Sequence, residues 1–259
     1  MSKTDWRNTV FVISVGMLIL LASLILTVTG NDDLLFGAMS IVAPLVALFL
    51  GVVGLRFYSR DSGTKDDRFN TLNYWFAIGL IMLSFAEIAG TLVGLSIGPQ
   101  QMTLIIALAQ IPGLLLWGIG IFQYLSSLNA ALGYVEPQKL WIGLFLATTL
   151  STISLVVIVV TQLPTVGFIE SIVLSPMVIG LAMYVIISTA LVVIFRNGAL
   201  AKPLFLILGA LLLYLVRCSF WLLSDVGFAA PTDGVIAAES FILCGAALLM
   251  ARRLGNIDT

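Results

Sequence analysis

IESIVLSPMVIGLAMYVIISTALVVIF, residues 169–195, is the apolar segment that most directly predicts the fold, and Glu170 is its one charged residue. An α-helix rises about 1.5 Å per residue, so this segment is long enough to cross a bilayer core, which takes about 20 apolar residues. A membrane β-strand takes about ten residues of alternating polarity, and the segment has neither that length nor that alternation. It therefore predicts a transmembrane α-helix.

Comparable apolar segments recur along the whole chain. They predict an all-α fold, a polytopic membrane helical bundle of eight transmembrane helices at 9–29, 34–57, 73–97, 102–126, 139–162, 169–195, 203–224 and 234–251. A core of about 20 residues with no small-x-small cleavage site after it makes the first of these a retained helix rather than a signal peptide.

The composition excludes most classes of soluble protein. Of 259 residues, 60% are hydrophobic and 10% are charged, and the mean hydropathy is +1.14. An average soluble domain is about 25% charged. We therefore expect a multi-pass protein of the cell membrane whose first partner is the lipid bilayer. The net charge of −1 gives no field that would attract nucleic acid.

Charged residues outside the apolar segments predict the orientation. Eleven of the twelve basic residues fall on one side if the chain crosses eight times: Lys3, Arg7, Arg56, Arg60, Lys65, Arg68, Lys139, Arg196, Lys202, Arg252 and Arg253. The opposite loops carry only acidic charges: Asp32, Asp33, Glu170, Asp225 and Asp233. By the positive-inside rule both termini are cytoplasmic, and a count of seven helices would break this alternation.

The two halves of the chain resemble each other. The first, third and fourth predicted spans start about 130 residues before the fifth, seventh and eighth. With this offset Glu87 matches Arg217 and Gln110 falls near Glu239. The sequence thus predicts one integral membrane domain made of two four-helix repeats, 1–130 and 131–259. Because each repeat has an even number of spans, the repeats are parallel and related by an axis along the membrane normal.

Four polar residues inside the apolar spans form the candidate site. Glu87, Gln110, Arg217 and Glu239 all fall in the extracytoplasmic half of their spans. Such groups are costly in hydrocarbon and normally face the bundle interior in pairs, so we expect Arg217 to face Glu87, Glu239 or both. Trp221 follows Arg217 by one turn and can stack on its guanidinium group. These five residues are the predicted ligand-binding residues.

Two interpretations of this polar set stay open. The residues can floor an outward-facing pocket, or an Arg–carboxylate contact can simply lock helices together, and Arg217 and Glu239 can also extend to the outer surface. The prolines leave a similar choice. Pro44, Pro112 and Pro176 each lie some way in from the outer end of a span, where a kink serves either helix packing or the opening of a cavity.

The residues indicate no enzyme, metal or cofactor. The chain has no histidine, which removes the Ser-His-Asp triad and most zinc and haem sites. Cys218 and Cys244 lie in apolar runs typical of inert buried thiols. Lys202 falls at the cytoplasmic end of its span rather than at the middle, which argues against retinal attachment.

One pair of segments resembles a known group of membrane proteins. LNYWFAIGLIMLSFAEI at 72–88, followed by WGIGIFQYL at 117–125, is similar to the multi-helix membrane sensor regions that precede histidine-kinase, PAS or GGDEF modules in archaea and bacteria. Gly209, Leu213 and Arg217 look like a second copy. The resemblance implies a sensor, with Glu87 as the one transferable site residue. Because the chain ends at Thr259 without an output module, a sensor of this kind would signal through a partner protein.

The leading hypothesis is therefore an integral membrane sensor or receptor that binds a small ligand in an outward-facing intramembrane pocket. An accessory subunit of a membrane complex and a small transporter or channel remain alternatives. Parallel repeats and an intramembrane Glu suit a transporter, whereas the cytoplasmic halves of the spans lack ionisable residues. A membrane or cytoplasmic signalling protein is the expected partner, but the sequence identifies neither that protein nor the oligomeric state.

Overall fold

The computed structural model describes residues 3–58, 68–94, 99–132, 168–223 and 231–255, together with Ile142, Leu146, Thr149, Ile153, Val157 and Thr161. The continuous ranges contain seven helices: α1 (Lys3–Val28), α2 (Asp32–Tyr58), α3 (Arg68–Gly94), α4 (Pro99–Leu132), α5 (Phe168–Ile194), α6 (Ala201–Leu223) and α7 (Asp233–Gly255). All seven are long and apolar enough to cross a membrane. The described chain is all-helical, as predicted, and has the character of a multi-pass membrane protein.

Seven of the eight predicted spans coincide with these helices. The predicted span 139–162 lies largely outside the described residues. The six described residues between 142 and 161 are each helical. Six of the seven observed helices are longer than the apolar runs that predict them, because polar residues continue the helix beyond the apolar core. α4, for example, covers 99–132 where the run predicts 102–126.

A tight turn joins α1 to α2. Gly30 has a φ of 71°, in the left-handed region that glycine adopts without strain. The backbone N–H of Asn31 donates to the carbonyl of Leu26 at 2.9 Å, and that of Gly30 donates to Thr27 at 3.1 Å. These two bonds form the Schellman pattern that ends helices. Asp32 and Asp33 then begin α2, where the positive end of the helix dipole stabilises their negative charges.

α3 packs between α2 and α4 and crosses α4 at a pair of glycines. A Cβ on Gly79 would lie 3.0 Å from the carbonyl oxygen of Gly113, and a Cβ on Gly113 would lie 3.0 Å from that of Gly79. The Trp117 indole stacks on Phe76 at 5.2 Å between ring centroids, and its N–H donates to the Phe76 carbonyl at 3.2 Å. The absence of side chains at the crossing lets the two backbones touch.

α4 and α5 pack side by side and run in the same direction. Gly118 contacts Tyr184, and the Tyr184 ring is 6.3 Å from Phe122 between centroids. Further along both helices, Tyr124 and Phe195 are also 6.3 Å apart between centroids. Because residue numbers increase together along the contact, the two helices are parallel.

α2 and α7 form a second parallel pair. Near the start of both helices, a Cβ on Gly234 would lie 2.5 Å from the Met39 side chain. Near their ends, the Tyr58 hydroxyl donates to the carbonyl of Leu248, and the Arg252 guanidinium lies 3.9 Å from the centre of the Phe57 ring. α1 packs on the outer side of α7, with Gly16 against Ile242.

Candidate functional site: a buried ion network

Four helices place five polar side chains together in the interior. Glu87 comes from α3, Gln110 from α4, Arg217 and Trp221 from α6, and Asp233 from the first turn of α7. Each is at most 3% exposed. We call these five residues the ion network.

α6 presents its polar residues on one face. Tyr214, Arg217 and Trp221 are spaced by three and four positions, which brings them to the same side of a helix. The guanidinium carbon of Arg217 lies 4.7 Å from the centre of the Trp221 ring and 5.5 Å from that of Tyr214. The predicted stacking of Trp221 on Arg217 is present, and the two rings shield the cation from lipid.

Arg217 is held by a carboxylate on each edge of its guanidinium group. Toward Glu87, Nη1 donates to Oε1 and Nη2 donates to Oε2 at 3.0 Å. Toward Asp233, Nε donates to Oδ1 at 3.0 Å and Nη2 donates to Oδ2 at 2.6 Å. The remaining N–H of Nη1 points to the Tyr214 hydroxyl at 3.5 Å. All five donors of the side chain are thus used, four of them in bidentate charged bonds.

Each carboxylate also accepts a neutral donor. Gln110 Nε2 donates to Glu87 Oε1 at 2.7 Å, and Trp221 Nε1 donates to Asp233 Oδ1 at 2.6 Å. Asp233 additionally lies at the N-terminus of α7, where the helix dipole favours a negative charge. The network is therefore connected across all four helices by direct hydrogen bonds.

The network nevertheless carries more negative than positive charge. Glu87 and Asp233 are two carboxylates and Arg217 is one cation, so the fully ionised form has a formal charge of −1 among these residues. In addition, Gln110 Oε1 is buried and accepts no hydrogen bond from the described residues. An excess charge and an unfilled acceptor are both costly in a low-dielectric interior. The arrangement is suited to take up a proton, or a cation that carries hydrogen-bond donors.

The structure brings together four of the five predicted site residues: Glu87, Gln110, Arg217 and Trp221. Glu239 lies elsewhere, on the face of α7 that meets α1, where a Cβ on Gly16 would lie 2.9 Å from its Oε2. Its Oε1 is buried without a hydrogen-bond partner in the described part of the chain. Glu239 follows Asp233 by six residues, and at about 100° per residue this turns it well away from the network.

Asp233 is the network residue that sequence reasoning missed. Its position just before an apolar run made it a residue of the extracytoplasmic loop. The structure places it inside, at 2% exposure, because the first turn of α7 begins at this residue and points it at Arg217. A usable signal was present in the sequence. An acidic residue directly before a membrane span can belong to the first turn of that helix, and the long side chain of an arginine one or two turns inside the neighbouring helix can extend toward it.

By its fold and its site, this chain belongs to the class of multi-pass helical membrane proteins, and it contains a buried Glu–Arg–Asp network. Comparison with protein-family models, curated proteins and solved structures gave no match for this chain. Among the described residues, no group of three or more Asp, Glu, His or Cys side chains is placed to hold a metal ion.

Proposed function

We propose that this protein is a sensor or receptor of the cell membrane. It is built as two parallel four-helix repeats with both termini in the cytoplasm, and it binds a small cationic ligand at the ion network. The ligand class is an amine or another positively charged group with N–H donors. The signal passes to a partner protein.

The direction of α4 and α5 supports eight crossings. Two parallel neighbours cannot be joined by a short loop, because the chain must return the full length of the bundle between them. The segment 133–167 makes that return, and its six described residues are helical. An eighth transmembrane helix at the predicted span 139–162 meets this requirement.

Contacts at matching positions support the repeat. Glu87 and Arg217 are 130 residues apart and touch each other, which is expected of equivalent positions that meet near a two-fold axis. With the same offset, Gly54 matches Tyr184 and Gly118 matches Leu248. In the structure Gly54 packs on Leu248 and Gly118 packs on Tyr184. The same interface is thus formed twice, with the large and small partners exchanged.

The excess negative charge of the ion network is the observation that carries the ligand proposal. A network that served only to hold helices together would not need a second full charge for the remaining donors of the arginine, because a neutral acceptor can bind them, and an unbalanced charge costs stability in hydrocarbon. A ligand ammonium group would balance the charge. The N–H donors of the ligand would also bind Gln110 Oε1, which has no hydrogen-bond partner in the described part of the chain.

The depth of the network suits a ligand from the extracytoplasmic side. Arg217 is six residues from the end of α6 and Glu87 is seven from the end of α3, which places both about 10 Å below the helix ends. Asp233 is the first residue of α7. A small molecule entering from that side has one or two helical turns to cross.

The network also offers a route for the signal. A ligand that draws Glu87 away from Arg217 weakens the bond between α3 and α6, while Asp233 still holds Arg217 to α7. The two arrangements differ in which helices are tied together, which is the kind of two-state element that a receptor needs.

Thermal unfolding of the purified protein in detergent tests this proposal. The probes are linear monoamines and diamines of increasing length, with the matching alcohols as uncharged controls. We expect at least one amine to raise the unfolding temperature of the wild type and to lose this effect in Glu87→Gln. Glu170→Gln, at the start of α5, is the matched control and keeps the effect. Stabilisation that is equal in both variants, or absent for every amine, contradicts the proposal.

A second candidate function, an accessory subunit of a membrane complex, is favoured by the position of α1. Only 17% of its most apolar window is buried, the lowest share of the seven helices. Such a helix has room for a second protein on its free face. A stoichiometric partner that co-purifies from native membranes, and that is lost when Leu18 and Leu21 are changed to bulky Trp, would support this candidate.

A further inference from the structure

We infer that the cleft between α4 and α5 is a binding site for one hydrocarbon chain of a membrane lipid. The cleft has a volume of about 340 Å³, within the range of pockets that bind small organic molecules. It lies on the other side of α4 from the Glu87 contact and shares no residue with the ion network. Of the described residues that line it, Tyr184 alone carries a hydroxyl group.

The cleft is closed toward the bundle and open toward the lipid. Its inner wall includes Leu114, Met177 and Leu181, each less than 9% exposed, whereas Leu108 and Leu115 on the rim are about half exposed. The opening therefore faces the hydrocarbon of the bilayer. A buried water needs about two to four polar partners, and the described side chains of the cleft offer it one hydroxyl, that of Tyr184, so water does not fill the space. An empty space of this size would destabilise the bundle, because its lining would lose contacts on one side.

The matching interface of the other half shows what the cleft lacks. Between α2 and α7, the side chain of Leu50 fills the space beside Gly245, and a Cβ on Gly245 would collide with it. With the repeat offset of 130 residues, Leu50 matches Gly180 and Gly245 matches Leu115. A Cβ on Gly180 would meet no atom of the described residues within 4 Å.

The two interfaces thus differ by a large aliphatic side chain that is present in one and absent from the other. The comparison with Leu50 rests on the proposed repeat, whereas the cleft itself does not depend on it. In the first repeat the isobutyl group of Leu50 fills this space. We therefore expect an aliphatic group to fill the equivalent space beside Gly180 in the second repeat. Pro176, which lines the cleft, removes a backbone hydrogen bond from α5 at this level and lets the helix bend away from α4.

The depth of the cleft in the membrane indicates which aliphatic molecule occupies it. Gly180 is twelve residues from the start of α5, about 18 Å from that helix end and close to the middle of the bilayer. Lipid chains are the surrounding medium at this depth. A chain that lies along the cleft is held by dispersion contacts and by the exclusion of other lipids, so the expected occupant is one acyl chain of a phospholipid.

Photolabelling in vesicles tests the inference. The protein is placed in phosphatidylcholine vesicles that contain a small fraction of phosphatidylcholine with a diazirine in one acyl chain. After irradiation, labelled residues are found by mass spectrometry. We expect Met177 and Tyr184 in the cleft to be labelled more strongly than Phe205, which is 65% exposed on the outer face of α6. Gly180→Leu should cause a severalfold loss at Met177 and Tyr184 and no change at Phe205.

Gly37→Leu is the matched control, because a Cβ on Gly37 also meets no atom within 4 Å but the residue lies on an exposed face of α2. It should leave the labelling of the cleft unchanged. Should Gly180→Leu fail to fold, Gly180→Ala tests the same space with a smaller group and should give a smaller loss. Gly180→Leu should also leave the response to amines intact, so failure of this inference is distinct from failure of the proposed receptor function.

Cleft labelling that is no stronger than at Phe205 overturns the inference, as does labelling that Gly180→Leu does not reduce. An unlabelled cleft does the same, since it would mean that another part of the chain or a second copy covers the opening.

Discussion

Among the single residues, Arg217 connects the buried charges in the interior of the bundle. It makes bidentate bonds to Glu87 and Asp233 from one fully buried guanidinium group. Removing a charge at the centre differs from removing one at the edge. Without Arg217 two carboxylates face each other, whereas without the charge of Glu87 a balanced pair remains.

We therefore predict that Arg217→Ala lowers the free energy of unfolding by about 3–5 kcal/mol, the usual cost of removing one partner from a buried ion pair. Glu87→Gln should cost clearly less, because Arg217 and Asp233 stay paired. Denaturant titration in mixed micelles measures both values. Arg196→Ala, at an exposed position after α5, is the control and should change little. The reverse order of the two costs would show that the excess negative charge does not matter.

A second prediction concerns the indole N–H of Trp221. Trp221→Phe keeps an aromatic ring over Arg217 and removes the indole N–H that donates to Asp233 Oδ1. A lost hydrogen bond to a buried charged group should cost about 1–3 kcal/mol. Trp75→Phe is matched to it, since Trp75 donates to Gln123 Oε1 at 2.9 Å in an exposed position. That variant should stay within about 0.5 kcal/mol of the wild type. Equal effects would mean that burial of the bond is unimportant.

At the scale of elements, close contact of helix backbones organises the bundle. α3 and α4 approach each other at Gly79 and Gly113, where each would place a Cβ 3.0 Å from the other's carbonyl oxygen. A methyl group at either position forces the helices apart. The contact of Gln110 with Glu87 depends on the same pair of helices, so it should weaken too.

The expected result for Gly79→Ala or Gly113→Ala is a loss of about 1–3 kcal/mol, typical of overpacking in a tight interface. Gly37→Ala is the control, since nothing lies within 4 Å of the added carbon. It should cause no loss, because alanine is the better helix former. The same unfolding titration applies. A tolerated Gly79→Ala would show that the crossing can widen without cost.

At the scale of the whole molecule, the number of crossings and the orientation decide which side the ion network faces. Asn31 lies in the turn before α2 and Asn197 in the turn after α5, and both are exposed. With the proposed helix between α4 and α5, five crossings separate the two turns, so they lie on opposite sides. Without it, four crossings would put them on the same side.

A membrane-impermeant maleimide tests this on intact cells. We expect Asn31→Cys to be labelled from outside and Asn197→Cys only after the membrane is opened. The native Cys218 and Cys244 are fully buried and should not contribute. Labelling of both turns from outside would remove the eighth helix. Labelling of Asn197→Cys alone would reverse the orientation.

The kind of fold and most residues of the site could be predicted from the sequence alone. Apolar runs of more than 20 residues leave the backbone no option except helices in lipid, and the structure confirms seven of them. An intramembrane arginine needs a carboxylate, and the sequence predicted Glu87, Glu239 or both as partners of Arg217, of which the structure shows Glu87. These inferences depend only on the solvent and on local periodicity.

Which second carboxylate binds Arg217 depends on the tertiary structure. Asp233 joins the ion network and Glu239 does not, because the starting residue and rotation of α7 set which of its faces meets α6. That rotation depends on contacts such as Gly16 against Ile242 and Gly245 against Leu50, between residues far apart in the chain. The cleft beside Gly180 has the same origin. A glycine leaves a void or allows a close contact, depending on which side chain of the neighbouring helix lies opposite it.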